Sequence, residues 1–216
     1  MRFRRQSPVG ARDVLGHRQA KELRQDAVDE LSHEIVRRLV ARGRRGLTVA
    51  GVSDGVGASS TAMALAWALA RRQVATLIID TDLQRPTTNA PPAAHHDRPG
   101  LAEVLRGEIG LIDALDVGDG SGPTVLRAGS PRGESEARIF SKGLSEILEH
   151  GLRRFQMTIV DSPPANRSTV SFHVARTTGY SLLVARRNVS FAQDLSLFAD
   201  QMRQVGAEVV GSVLTG

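Results

Sequence analysis

Apolar residues recur every four positions early in the chain. This spacing places them on one face of a helix and predicts an amphipathic helix over about 20–42. Its apolar stripe consists of Leu23, Ala27, Leu31, Ile35 and Leu39. The residues before it mix prolines, glycines and charges, so we expect 1–18 to form a flexible basic arm ahead of a single domain over 19–216.

Short apolar, β-branched runs then alternate with longer segments that favour helices. The runs predict buried strands over 46–52, 74–80, 124–128, 157–161, 180–185 and 208–214. The segments between them predict helices over 59–72, 101–106, 111–115, 134–154 (weakened at Gly143), 168–177 and 191–205. The proline-rich stretch 81–99 is expected to be a loop. This alternation indicates an α/β fold, with a mainly parallel, doubly wound sheet flanked by helices.

The amino-acid composition restricts the metal sites, cellular location and partners that can be expected. The chain has 216 residues and no cysteine, so thiolate metal sites are excluded and the cytoplasm is the expected location. No apolar run approaches the ~20 residues that cross a bilayer, so no membrane span is expected. The net charge of +5 comes almost wholly from arginines near predicted helix ends, although an anionic membrane surface stays open as a partner. With one tryptophan and one tyrosine, base-stacking aromatics are scarce, so nucleic acid is not the expected partner.

A glycine-rich segment links the first predicted strand to the next helix. Gly55 and Gly57 would let backbone N–H groups approach phosphate oxygens, and the start of the helix attracts negative charge. Ser59 stands where a hydroxyl could ligate Mg²⁺. The predicted nucleotide-binding residues are Ser53, Asp54, Gly55, Val56, Gly57, Ala58, Ser59 and Ser60.

Two predicted strands end in carboxylates. Asp80 and Asp82 follow the second strand, and Asp161 closes the fourth. A strand that ends in aspartate often merely caps the next helix, but the carboxyl ends of parallel strands meet at one edge, where ligands of such sheets bind. Carboxylates there can hold Mg²⁺. Their occurrence behind a glycine loop favours a nucleotide site.

Five segments together resemble the cytoplasmic domain of the bacterial tyrosine kinases (BY-kinases), which belongs to the deviant-Walker P-loop superfamily with the MinD and ParA ATPases. The segments are 51–59, 77–86, 100–107, 128–131 and 159–164, within a resemblance over about 28–216. The resemblance implies ATP or ADP with Mg²⁺ in the glycine loop. It also implies a catalytic role for Asp80, if the site is active, and Mg²⁺ ligands at Ser59, Asp82 and Asp161.

The resemblance also implies partners. Family members act with a membrane polysaccharide co-polymerase, whose cytoplasmic tail activates them, in the synthesis and export of capsule or exopolysaccharide. Such a partner would hold this chain at the inner face of the inner membrane. A partial match to the family's oligomerisation motif, Glu-x-x-Arg-x-x-Arg, implies a homo-oligomer through Glu34 and Arg37 or Arg38.

The departures from the family pattern bear on activity. Ala58 stands where the family has lysine, and Ser53 where MinD-like loops have a second one. Loss of a charge-assisted phosphate contact, about 1.5–3 kcal/mol, should cost at least roughly tenfold in affinity and more in turnover. Arg85 is a candidate substitute cation, although a guanidinium does not reproduce a compact ammonium. The sequence also ends at Gly216 without a tyrosine-rich tail, so tail autophosphorylation is not expected.

Three hypotheses follow from these residues. The first is a pseudokinase that binds nucleotide weakly or not at all and regulates polysaccharide assembly by protein contact. The second is an active ATPase or tyrosine kinase that uses a non-standard cation. The third is a ParA-like positioning ATPase, against which the segments around Pro86 and 100–107 point to the polysaccharide branch.

Overall fold

A computed structural model of the chain describes residues 25–83, 98–130 and 143–216. Six parallel strands form one sheet in the order β3-β2-β4-β1-β5-β6. The strands are β1 (Gly46–Gly51), β2 (Thr76–Asp80), β3 (Thr124–Leu126), β4 (Met157–Ser162), β5 (Tyr180–Arg186) and β6 (Glu208–Thr215). The predicted α/β fold with a parallel sheet is confirmed, and each predicted strand is found with ends shifted by at most two residues.

Helices flank the sheet. They are α1 (25–38), α2 (Ala58–Arg71), α3 (Leu101–Arg106), α4 (Leu111–Ala114), α5 (Leu144–Arg154), α6 (Val170–Thr178) and α7 (Ala192–Gln204). Two clusters of buried apolar side chains pack against the strands. One includes residues of α1, α2 and α7, and the other includes residues of α3, α4, α5 and α6. Burial of each large aliphatic side chain contributes about 1.5–3 kcal/mol relative to an exposed one, so these clusters fix the sheet on which the site is built.

The described part of α1 carries the predicted stripe. Ile35 and Leu39 are fully buried and Leu31 is partly buried, whereas Ala27 is exposed, so the helix packs on the core through its carboxyl half. The α-helix ends at residue 38, and a short 3₁₀ turn over Val40–Arg42 carries the chain to Gly43, which adopts a left-handed conformation. The predicted arm, residues 1–18, lies outside the described residues.

Two further predicted segments, the helix over 134–154 and the loop over 81–99, lie only partly within the described residues. The helix predicted over 134–154 is described only from Leu144, where Gly143 occupies the N-cap position instead of an interior one. Residues 131–142 and 84–97 lie outside the described residues. Among the described helices, none is both long and apolar enough to cross a membrane.

Candidate nucleotide site at the carboxyl edge of the sheet

The glycine loop joins β1, which lies between β4 and β5, to the first turn of α2. Gly55 and Gly57 have φ angles of +71° and +89°, a left-handed backbone that favours glycine. Gly57 is the N-cap of α2, and its carbonyl accepts hydrogen bonds from the N–H and hydroxyl of Thr61 at 2.9 and 2.8 Å. At Gly51 a β-carbon would lie 2.6 Å from Cγ2 of Val56, so the loop folds tightly back on the end of its strand.

The ends of two neighbouring strands hold the carbonyl side of this loop. The hydroxyl of Thr215, on β6, donates to the carbonyl of Val56 at 2.6 Å and lies 3.2 Å from the carbonyl of Ala185. Nη1 of Arg186, the last residue of β5, donates to the carbonyl of Gly55 at 3.3 Å. The sheet therefore fixes the path of the loop between β1 and α2.

The three predicted carboxylates come together beside the loop. Asp80 and Asp161 are paired positions on the adjacent strands β2 and β4, and both are buried. The N–H of Asp82 donates to Oδ1 of Asp80 at 2.9 Å. The N–H and hydroxyl of Thr81 both donate to the carbonyl of Asp161, at 2.9 and 2.8 Å, which fixes the loop after β2 against the end of β4.

Arg167, which the sequence did not single out, also lies at this edge. Nη2 of its guanidinium donates to Oδ2 of Asp82, and Nη1 lies 3.4 Å from Oδ1 of Asp54 in the glycine loop. The side chains of Arg167 and Asp82 are only 15% and 11% exposed, against 43% for Asp54. Its position shortly after β4 places Arg167 at the edge where loops that follow parallel strands meet, but the sequence does not indicate that its side chain turns inward there. The cation predicted for this role, Arg85, lies outside the described residues.

The predicted metal ligands Ser59, Asp82 and Asp161 lie in the first turn of α2, in the loop after β2 and at the end of β4. Within 25–83, 98–130 and 143–216, no group of three or more histidine, aspartate or glutamate side chains is placed to hold a metal ion. Asp82 carries a guanidinium instead, while Ser59 lies in the first turn of α2. This arrangement does not fit Mg²⁺ at Asp82, because a bound guanidinium occupies a carboxylate oxygen and repels a second cation.

A cavity of about 550 Å³ adjoins the glycine loop, within the volume range of small-molecule sites. Its walls come from the loop, the first turns of α2, the end of β6 and the start of the described part of α1. The loop residues that line it are Gly55, Val56 and Gly57, and α2 contributes Ser60, Thr61 and Ala64. Of the predicted nucleotide-binding residues, Ser53 is half-buried in the loop and Ser60 is exposed.

The predicted oligomerisation residues contact their own chain. Glu34 accepts hydrogen bonds from both Arg37 and Arg38 at 2.9 Å, and these bonds hold the pKa of its carboxyl below the usual value of 4.5. Nη1 of Arg38 also donates to the carbonyl of Val210 at 3.2 Å. Arg38 therefore joins α1 to β6 within one chain.

Relatives of the chain are tyrosine kinases. The tyrosine-protein kinase Ptk of Acinetobacter johnsonii is 30% identical over 169 residues, 78% of this chain and 23% of the relative. Etk of Escherichia coli K12 is 28% identical over 171 residues, 79% and 23% of the two chains. The chain thus spans about a quarter of these relatives. CpsD of Streptococcus pneumoniae is 26% identical over 168 residues, 78% of this chain and 74% of CpsD. No protein-family model matches the chain.

Solved structures agree with these relatives. The kinase domain of Escherichia coli Etk superimposes with a TM-score of 0.73 and 26% identity, over 81% of this chain and 68% of that domain. MinD of Pyrococcus horikoshii in complex with Mg-ADP shares the fold, with a TM-score of 0.68 and 18% identity over 79% and 69% of the two chains. The homologues of this chain are therefore bacterial tyrosine kinases, and its fold is the one their kinase domains share with the MinD-type P-loop ATPases.

Proposed function

We propose that the chain is a BY-kinase-like pseudokinase, a degenerate nucleotide-binding regulator in exopolysaccharide or capsule synthesis and export. It acts in the cytoplasm through contact with the cytoplasmic tail of a membrane polysaccharide co-polymerase, and as a homo-oligomer. The observation that supports the proposal is Ala58, the first residue of α2, which carries a methyl group at the position where, by the resemblance, the kinase family has lysine.

The loop keeps part of what a phosphate needs. Its left-handed glycines and the start of α2 offer backbone N–H groups and a partial positive charge. The lysine of a P-loop adds a full charge that reaches the terminal phosphates. By resemblance Mg²⁺ would be held by Ser59, Asp82 and Asp161 and would neutralise phosphate charge, but the guanidinium of Arg167 occupies an oxygen of Asp82, which weighs against a metal ion there. Without the ammonium group, ATP or ADP would bind weakly, and phosphoryl transfer would lose more than binding.

Phosphate release from Mg-ATP tests this proposal. We expect release at the level of the buffer from the natural chain, with and without the co-polymerase tail, and measurable release from Ala58→Lys. Ala70→Lys is the matched control, because it adds the same charge in the last turn of α2, far from the loop. Robust Mg²⁺-dependent release by the natural chain that disappears in Asp80→Asn would refute the proposal.

A second candidate function is an ATPase or kinase with a non-standard cation, and one observation favours it. Nε of Arg167 is buried and makes no hydrogen bond within the described residues, so the guanidinium retains a donor for a phosphate oxygen. This function predicts phosphate release that is lost in Arg167→Ala and kept in Arg176→Ala, an exposed arginine on α6. Absence of release under all conditions would end it.

A further inference from the structure

Arg167 is placed by a tight turn after β4. The N–H groups of Arg167 and Ser168 both donate to the carbonyl of Pro164, at 3.0 and 3.2 Å. The N–H of Ala165 donates to the carbonyl of Gly51 at 3.3 Å, which ties the same turn to the start of the glycine loop. The backbone thus returns the arginine to the carboxyl edge of the sheet, and its side chain is largely buried there.

One guanidinium joins three loops at that edge. It contacts Asp82 after β2 and Asp54 after β1, while Arg167 itself follows β4. The loop that carries Asp82 is also linked to Asp80, because the backbone N–H of Asp82 donates to Oδ1 of Asp80. A planar fork with several N–H donors suits such bridging of carboxylates.

The guanidinium of Arg167 occupies a position that a divalent cation would need in order to bind the carboxylates. Mg²⁺ or Mn²⁺ binds through carboxylate oxygens, and the nearby carboxylates are Asp80, Asp82 and Asp161. A guanidinium hydrogen-bonded to Asp82 takes up one of those oxygens and brings a like charge next to any incoming metal ion. The described residues accordingly contain no cluster of three acidic or histidine side chains arranged for a metal.

We infer that Arg167 is a built-in cation that takes the place of a divalent metal ion at Asp82 and holds the loops after β1, β2 and β4 together. The chain therefore excludes divalent metal from this edge of the sheet. This role deepens the proposed function, on which it rests for the identity of the site, and it concerns metal binding in the absence of nucleotide.

Titration with Mn²⁺ alone, followed by the electron paramagnetic resonance signal of the free ion, tests the inference. We expect Arg167→Ala to bind Mn²⁺ at least about tenfold more tightly than the natural chain, because the competing charge is removed. Arg167→Ala combined with Asp82→Asn should lose that gain. Arg176→Ala is the matched control, and Arg167→Lys, which keeps a cation, should behave like the natural chain.

A thermal unfolding series with and without Mn²⁺ guards against loss of fold. In Arg167→Ala, Mn²⁺ should raise the melting temperature, since an ion that binds only the folded state stabilises it. Mn²⁺ should not change the melting temperature of the natural chain or of the double variant. Equal Mn²⁺ affinity in the natural chain and Arg167→Ala, or no Mn²⁺ binding by folded Arg167→Ala, would overturn the inference. Neither result depends on nucleotide hydrolysis, so the Mn²⁺ experiments and the phosphate-release experiment test the inference and the proposed function separately.

Discussion

The guanidinium of Arg167 donates a hydrogen bond to the carboxylate of Asp82, which lies 85 residues earlier in the chain. The two residues follow β4 and β2, which are neighbours in the sheet. The pair therefore connects two loops at the edge where the glycine loop also lies. Its charge balance bears both on the stability of the fold and on what the site can bind.

The Arg167–Asp82 pair should contribute measurably to stability. Both side chains are mostly buried, so removal of either partner leaves a poorly solvated charge. In a double-mutant cycle with Arg167→Ala and Asp82→Asn, we expect a coupling of about 1–3 kcal/mol in urea unfolding. The exposed pair Arg203–Asp200 is the control and should couple by less than about 0.5 kcal/mol. Equal coupling in the two cycles would contradict the burial argument.

Gly57 should resist substitution because of its backbone. Its φ of +89° is a conformation that residues with a β-carbon rarely adopt. Gly57→Ala should therefore lower the free energy of unfolding by about 1–2 kcal/mol. Gly211→Ala is the control, since no atom lies within 4 Å of its built β-carbon and its φ is not positive. That variant should be neutral or slightly stabilised, because alanine restricts the unfolded chain. Matching losses in both variants would be inconsistent with strain at Gly57.

Glu103 should make stability depend on acid pH. Burial alone would raise the pKa of its carboxyl, but N–H groups of Gly100 and Ser130 donate to it at 2.7 and 3.0 Å. With the charge of Arg106, they hold the pKa below the usual 4.5. A carboxyl whose pKa is lowered by folding stabilises the fold above its unfolded-state pKa, and this stabilisation is lost as the pH falls through the folded value.

Glu103→Gln tests this dependence. At neutral pH we expect it to lower the free energy of urea unfolding by about 1.5–3 kcal/mol, the range for hydrogen bonds to a charged group. The difference from the natural chain should shrink as the pH falls below 4.5. A difference that stays constant down to acid pH would show that the charge of Glu103 does not stabilise the fold.

Thr215 should steady the glycine loop from β6. Its hydroxyl donates to the carbonyl of Val56 at 2.6 Å, so Thr215→Val should cost about 1 kcal/mol and speed amide hydrogen exchange in residues 52–57. Thr177→Val is the control, because that hydroxyl bonds only within α6, to the carbonyl of His173 at 3.4 Å. If amide hydrogen exchange in residues 52–57 is unchanged in Thr215→Val, β6 does not stabilise the glycine loop.

Local patterns were enough to predict the sheet and the loop. The runs around Leu47, Ile78 and Ile159 are apolar because these strands are buried, so their composition reveals them. The convergence of Asp80 and Asp161 follows from parallel topology, in which strand ends share an edge. The contact of Arg167 with Asp82 depends on the turn at Pro164, and no local pattern reports which of many arginines a turn brings inward. Gly143 was expected inside a helix, yet its lack of a side chain suits an N-cap, and that choice is set by packing.

Calorimetric titration of Mg-ADP into the natural chain and into Ala58→Lys tests most directly whether the loop is a phosphate cradle that lacks the ammonium group of a lysine. A restored charge-assisted contact of about 1.5–3 kcal/mol should tighten binding by roughly ten- to a hundredfold, whereas Ala70→Lys should leave it unchanged. If Ala58→Lys binds Mg-ADP no better than the natural chain, or if the natural chain already binds it as tightly as that variant, the account is contradicted.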